Sequence, residues 1–288
     1  MTNESPTRRE TEQQGQLLML GAVLCFSALG LTIRLASFEL HFTQVACVRS
    51  LIGTLVALGT AWATRAPLRV ENQRLAWGRS LVGALAMFAF FASLSSPSVA
   101  LGDVATLRNL GPVLTLFGAA WLMREKLSWG VLALTALSVF GAILVVQPAL
   151  TVRAYYAACA VAAAFLSAGS NLFLRALRDE SHAAVVLHFS LVSAVVMAVF
   201  AAFQWQPITP SGALFLALAG LFGAGGQLLM TAAYARASAS VVTPMSYASI
   251  AFSYVLGAWV LDETVSVAQT AGAVLIAGAG VRLLSRRV

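Results

Sequence analysis

The stretch SVALGDVATLRNLGPVLTLFGAAWLMREKLS, residues 98–128, is apolar enough to cross a membrane, yet it carries Arg108 and Asn109 in its body. Pro112 follows the arginine by four residues. A charge near the bilayer centre costs about 2.5 kcal/mol or more on insertion scales. A proline has no N–H to give the carbonyl one turn back. Together these features predict a segment that faces protein or water inside a helix bundle, not a plain anchor.

The surrounding chain fits a bilayer. Of 288 residues, 59% are hydrophobic and only 10% are charged, against about a quarter charged in soluble domains. Eighteen Lys and Arg face eleven Asp and Glu, a net charge of +7. The positive residues fall between apolar runs, so they read as membrane-orientation signals and not as a nucleic-acid surface. Cys25, Cys47 and Cys159 each sit within apolar sequence without a CxxC neighbour or a His at ligand spacing, and read as small core residues. No metal or cofactor signature is present, nor an ATP-binding motif.

A spanning helix needs about 20 mostly apolar residues. Ten segments qualify: 16–37, 42–62, 77–96, 99–122, 128–148, 154–176, 183–203, 212–234, 239–261 and 266–284. Residues 1–15 are polar and read as a short cytoplasmic tail before an uncleaved first helix. Arg8-Arg9 is followed by Glu-Thr-Glu-Gln, so it is no twin-arginine signal. With the N terminus inside, fourteen Lys and Arg fall in inner segments and two, Arg34 and Arg153, in outer ones. Arg79 is counted among the inner loops; Arg49 and Arg108 lie within the membrane. That bias predicts an even number of spans with both termini cytoplasmic, in an inner or plasma membrane.

The two halves resemble each other. LMREKLS (122–128) aligns with LDETVS (261–266) when Glu125 is set on Glu263, and Arg34 falls near Arg175. Each half, 16–148 and 154–284, holds five spans. Five is odd, so the second copy crosses in the opposite sense, an inverted repeat of the kind that builds secondary transporters. Under this alignment Ser246 stands where the first half has Arg108.

These halves resemble the EamA type of the drug/metabolite transporter superfamily. The motifs that carry the resemblance are ALGDVATLRNLGPV (100–113) with MREKL (123–127), and ARASASVVTP (235–244) with LDETV (261–265). An arginine early in the second span, Arg49, also fits. The resemblance covers the chain after residue 15. It implies ten helices in two inverted five-helix repeats around a central cavity. Segments 16–37, 77–96, 99–122, 154–176, 212–234 and 239–261 would line that cavity, with 128–148 and 266–284 at the periphery. It implies transport of a small metabolite without specifying which. Arg108 departs from the pattern, where a neutral residue is expected.

Arg108 can fork onto a carboxylate or phosphate of a substrate. Alternatively it binds freed carbonyls or Asp103, although Asp103 is five residues away and poorly placed on the same face. Intramembrane charges usually mark pathways, which favours the first reading. Asn109, Asn171, Ser27 and Gln227 are polar groups able to bind substrate or to join helices. Gln227 follows GLFGAGG (220–226), whose four glycines permit close approach. Pro112 and Pro244 are candidate helix breaks, with Ser246 and Tyr247 just beyond Pro244 as candidate site wall. His188 is a candidate for proton coupling or a packing residue on a peripheral helix. Phe88, Phe90 and Phe91 read as packing, and Glu125 and Glu263 as structural turn residues.

The function that best fits is a secondary transporter of a small organic metabolite, working by alternating access, whose substrate carries an anionic group held by Arg108. An integral-membrane enzyme would need acid, base or nucleophile clusters that the sequence lacks. A non-transporting receptor or scaffold leaves the inverted repeat unexplained. The expected partners are the bilayer and the small molecule; the oligomeric state is open, a homodimer included.

Overall fold

The computed structural model describes residues 8–111 and 152–285, with isolated positions at 114, 129–130, 133, 136–137, 140–141 and 144. Residues 112–113 and 115–122 of the segment 99–122 and most of 128–148 therefore lie outside the described residues, as do Pro112 and Glu125. The secondary structure of the described residues is helical, joined by turns and loops, without a strand. Six helices among them are long and apolar enough to cross a membrane.

In chain order the helices are α1 (Arg8–Ala36), α2 (Phe42–Thr64), α3 (Gln73–Leu94), α4 (Leu101–Arg108), α5 (Val152–Ala176), α6 (His182–Ala201) and α7 (Pro210–Arg236). A single turn, α8 (Ala239–Val242), leads through a 3-10 turn (Thr243–Tyr247) into α9 (Ala248–Val260), and α10 (Val267–Ser285) ends the described chain. Short loops with side-chain caps separate them. The Asn72 side chain accepts from Leu75 N–H at the start of α3, Ser181 from Ala184 N–H at α6, and Thr209 from Gly212 N–H at α7, where Pro210 occupies the first turn. Each cap satisfies an N–H that has no carbonyl partner within the helix.

Two breaks depart from straight spans. Segment 239–261 is not one helix: the 3-10 turn that contains Pro244 divides it. α4 stops at Arg108, whose carbonyl Pro112 cannot serve as an i+4 donor.

The packing is that of two intertwined halves. α1 lies against α7 and α3 against α5, while α2 packs on α6 and α4 on α9. Exchanging the halves turns the first contact into the second and returns the last two to themselves, as a pseudo-two-fold requires. The polar end contacts obey the same exchange. Glu39, after α1, accepts from Thr209 and Ser211 at the start of α7. Glu180, after α5, accepts from the Glu71 and Asn72 N–H groups at the start of α3. Arg34, near the end of α1, donates to Leu94 O at 2.7 Å and Val99 O at 2.6 Å, spanning the α3–α4 link. Arg175, near the end of α5, donates to Tyr234 O and Ala237 O at 3.1 Å, spanning the α7–α8 link. Arg34 and Arg175 thus hold equivalent links in the two halves.

The Arg34 link is the more heavily sealed. Arg34, counted from sequence as an outer-loop charge, is buried and pairs with Glu263 at 3.3 Å. The Glu263 carboxylate also accepts from Leu101 N–H at 2.8 Å, capping α4. Nearby, Asp103 accepts from Gln269 Nε2 at 2.8 Å and from the Tyr254 hydroxyl at 3.1 Å. Gly102 is required here, because a Cβ would run into the Tyr254 ring.

Candidate functional site

The helices enclose a central cavity of about 130 Å³, room for roughly ten waters at about 10–15 Å³ each. Three guanidinium groups face it: Arg49 from α2, Arg79 from α3 and Arg108 from the end of α4. The sequence reading places two of these in the membrane and leaves Arg79 among the loops. That assignment is corrected: Arg79 is buried seven residues into α3. The inward face of α3 reads Arg79, Gly83, Ala86, Met87, Phe90 and Phe91, an i, i+4, i+7, i+8, i+11, i+12 stripe that carries the arginine with it. That spacing is the signal by which sequence reasoning could have found Arg79. It also moves Phe90 and Phe91 from packing to cavity wall, while Phe88 packs on Phe42 and Phe200.

Each arginine is seated differently. Arg79 donates to Ser170 Oγ at 2.9 Å and Gln227 Oε1 at 3.0 Å, with its Cζ 4.1 Å from the Phe189 ring centroid. Arg49 donates to Gly223 O at 3.2 Å and contacts Met87 Sδ at 3.4 Å, with Cζ 5.8 Å from the same ring. Gly83 and Gly223 create the space: a Cβ on either would meet the arginine beside it. α2, left off the expected cavity lining, and α6, read as a peripheral helix, therefore contribute Arg49 and Phe189 to the wall. Arg108 lies over Phe90, Cζ to centroid 4.2 Å, and 5.6 Å from Phe26. It makes no hydrogen bond or ion pair among the described residues. The Asp103 alternative is not realised, since Arg108 and Asp103 form no pair.

The other expected site residues divide. Asn109, Asn171, Gln227 and Ser246 line the same cavity. Asn109 Nδ2 donates to Ser249 Oγ at 2.7 Å, and Ser249 Oγ donates to Ser246 O at 2.7 Å. The break after α4 and the break before α9 are thereby tied together. Ser27 lies in a small adjoining pocket shared with Arg108, its buried hydroxyl without a partner among the described residues. Tyr247, expected beside Ser246, instead lines an apolar groove with α9 and α10. His188 is also absent from the cavity: its Nδ1 meets Ser80 Oγ at 2.8 Å, and its ring lies edge-on to Trp77. Pro244 sits in the 3-10 turn.

The comparisons with known proteins agree with this architecture. The model of the EamA-like transporter family matches twice, at residues 13–147 and 154–286. The chain belongs to the EamA-like transporter family. Among relatives in this family, a pseudopaline exporter of Pseudomonas aeruginosa is 25% identical over 94% of this chain and 96% of its own length. A riboflavin transporter of Vibrio cholerae is 27% identical over 86% of this chain and 85% of its own. One solved crystal structure superposes with a TM-score of 0.74 at 18% identity, covering 96% of this chain and 98% of that one; it shares the fold. This EamA-like chain is accordingly a multi-pass membrane protein with an all-helical two-repeat fold, and it is a membrane transporter.

Proposed function

We propose that the protein is a secondary carrier of a small organic anion in the inner or plasma membrane, with both termini cytoplasmic, and that Arg108 holds the substrate's anionic group. The observation that carries this reading is the Arg108 guanidinium. It faces the central cavity over Phe90 without an acceptor among the described residues. A permanently charged fork in a low-dielectric site gains most from a carboxylate or phosphate. The named substrates of the relatives differ from one another, so relatedness supports transport and leaves the substrate to the cavity.

Alternating access would use the pseudo-symmetric links. In the described state the Arg34 end is sealed by Glu263 and the cap on Leu101. The cavity reaches toward Met19, Met230 and Tyr234, at the end where Arg175 holds the α7–α8 link. Rocking one repeat against the other would exchange which end is sealed.

The test is transport by an Arg108→Ala variant in proteoliposomes, with monodispersity and thermal unfolding as folding controls. The reading predicts loss of transport by a folded, inserted protein. Full transport by that variant would remove Arg108 from the substrate site.

A further inference from the structure

We infer that the substrate carries at least two negative groups, and that Arg49 and Arg79 hold a second one while Arg108 holds the first. This deepens the reading given above and rests on it.

Arg49 and Arg79 are 2% and 3% exposed, and both flank the Phe189 ring. Their ring distances bound the separation of the two charges below about 10 Å. Arg49 and Arg108 line the same cavity. Among the described residues, every acceptor these two arginines have is neutral: a hydroxyl, an amide, a thioether and a backbone carbonyl. The Nε–H of each is buried without a partner among the described residues. Among the described residues no carboxylate pairs with any of the three.

Arg34 shows what a structural arginine looks like in the same chain. It has two backbone carbonyls and the Glu263 carboxylate, which together meet its charge and its fork. The cavity arginines have only part of such a set. Three like charges in a low-dielectric space repel one another and require counter-charge. One monoanion on Arg108 would leave the Arg49–Arg79 pair uncompensated, with two Nε–H donors still empty. A second anionic group near Phe189 would accept from those donors and neutralise the pair. The aromatic walls contributed by Phe26, Phe90 and Phe189 suit the apolar body between the charged groups. Di- and tricarboxylates and phosphate monoesters share this chemistry.

The test is thermal unfolding of the purified full-length protein in detergent, titrated with mono-, di- and tricarboxylates and phosphate monoesters of aliphatic and aromatic body at matched ionic strength. The best di- or trianions should stabilise at about tenfold lower concentration than the best monoanions, as one added charge-assisted contact provides. The carboxylate and phosphate arms separate the two substrate chemistries, and either one succeeding supports the inference. Arg49→Gln and Arg79→Gln should each erase the preference for the second charge, so that di- and trianions half-saturate at no lower concentration than monoanions. The wild-type comparison needs no variant, so a misfolded one does not spoil the test. Equal half-saturation for monoanions and polyanions, with Arg108→Gln abolishing both, would overturn this inference and leave the single-anion reading standing. Stabilisation by neutral compounds alone would overturn both.

Discussion

The Arg108 guanidinium stands 4.2 Å from the centroid of the Phe90 ring and makes no hydrogen bond among the described residues. The ring face offers a planar cation a partial partner and leaves the N–H edges directed elsewhere. Arg108→Lys keeps the charge but removes the fork and the stacked plane. Substrate binding to that variant should weaken about tenfold, one lost charge-assisted bond, with thermal unfolding near wild type. Ligand titration checks it; unchanged affinity would show that only the charge matters.

Gly223 shapes the seat of Arg49. A Cβ there would meet the arginine side chain, and overpacking of this kind costs about 1–3 kcal/mol. Gly223→Ala should lower the unfolding midpoint and reduce transport. Gly59, where a Cβ meets nothing, is the control, and its alanine variant should behave as wild type in both assays.

Much of this was legible in the sequence, for reasons that particular residues make plain. The spans are readable because an apolar run of membrane length has few alternative fates. The inverted repeat is readable because Arg34 and Arg175 sit at the ends of equivalent helices and, in the structure, hold equivalent links. Arg108 announces itself by its depth in an apolar run. Arg79 does not: a charge seven residues into a helix can snorkel outward as easily as turn inward, and only the stripe with Gly83 and Phe90 distinguishes the two. Tyr247 shows the reverse limit. It follows Ser246 directly, but the 3-10 turn rotates successive residues to different faces, so one reaches the cavity and the other does not.

The two loop carboxylates should respond to pH with opposite signs. Burial raises the Glu263 pKa above the usual carboxylate range, Asp103 adding to the rise, against the lowering by Leu101 N–H and Arg34. The folded state then binds the proton more tightly than the unfolded one, so the Glu263 contribution is fully present at low pH and is lost as pH rises through the folded pKa. Hydrogen bonds from Thr209 and Ser211 hold the exposed Glu39 carboxylate below its ordinary pKa. Its contribution is present above the ordinary value and is lost as pH falls through the folded one. Relative to Glu263→Gln, the wild type should gain stability on acidification from neutral pH; relative to Glu39→Gln it should lose it. Unfolding midpoints across the acidic range check both signs.

The Arg34 seal can be opened selectively. Arg34→Gln removes the counter-charge of the half-buried Glu263 and one or both carbonyl contacts to the α3–α4 link. In a background with Cys25, Cys47 and Cys159 replaced, a Ser27→Cys reporter should be slow to react with a membrane-impermeant maleimide when Arg34 is intact. It should react faster in the Arg34→Gln protein, with the reagent reaching it from the Arg34 side. Unchanged labelling would show that this arginine does not gate access.

An organic anion bound by the cavity arginines is the expected cargo of this EamA-like carrier. Uptake of a complex metabolite mixture into proteoliposomes of wild type and Arg108→Gln, with accumulated compounds identified by mass spectrometry, tests it. Compounds accumulated by the wild type should carry carboxylate or phosphate groups, and the variant should fail to accumulate them. Neutral or cationic compounds accumulated equally by both proteins would contradict it.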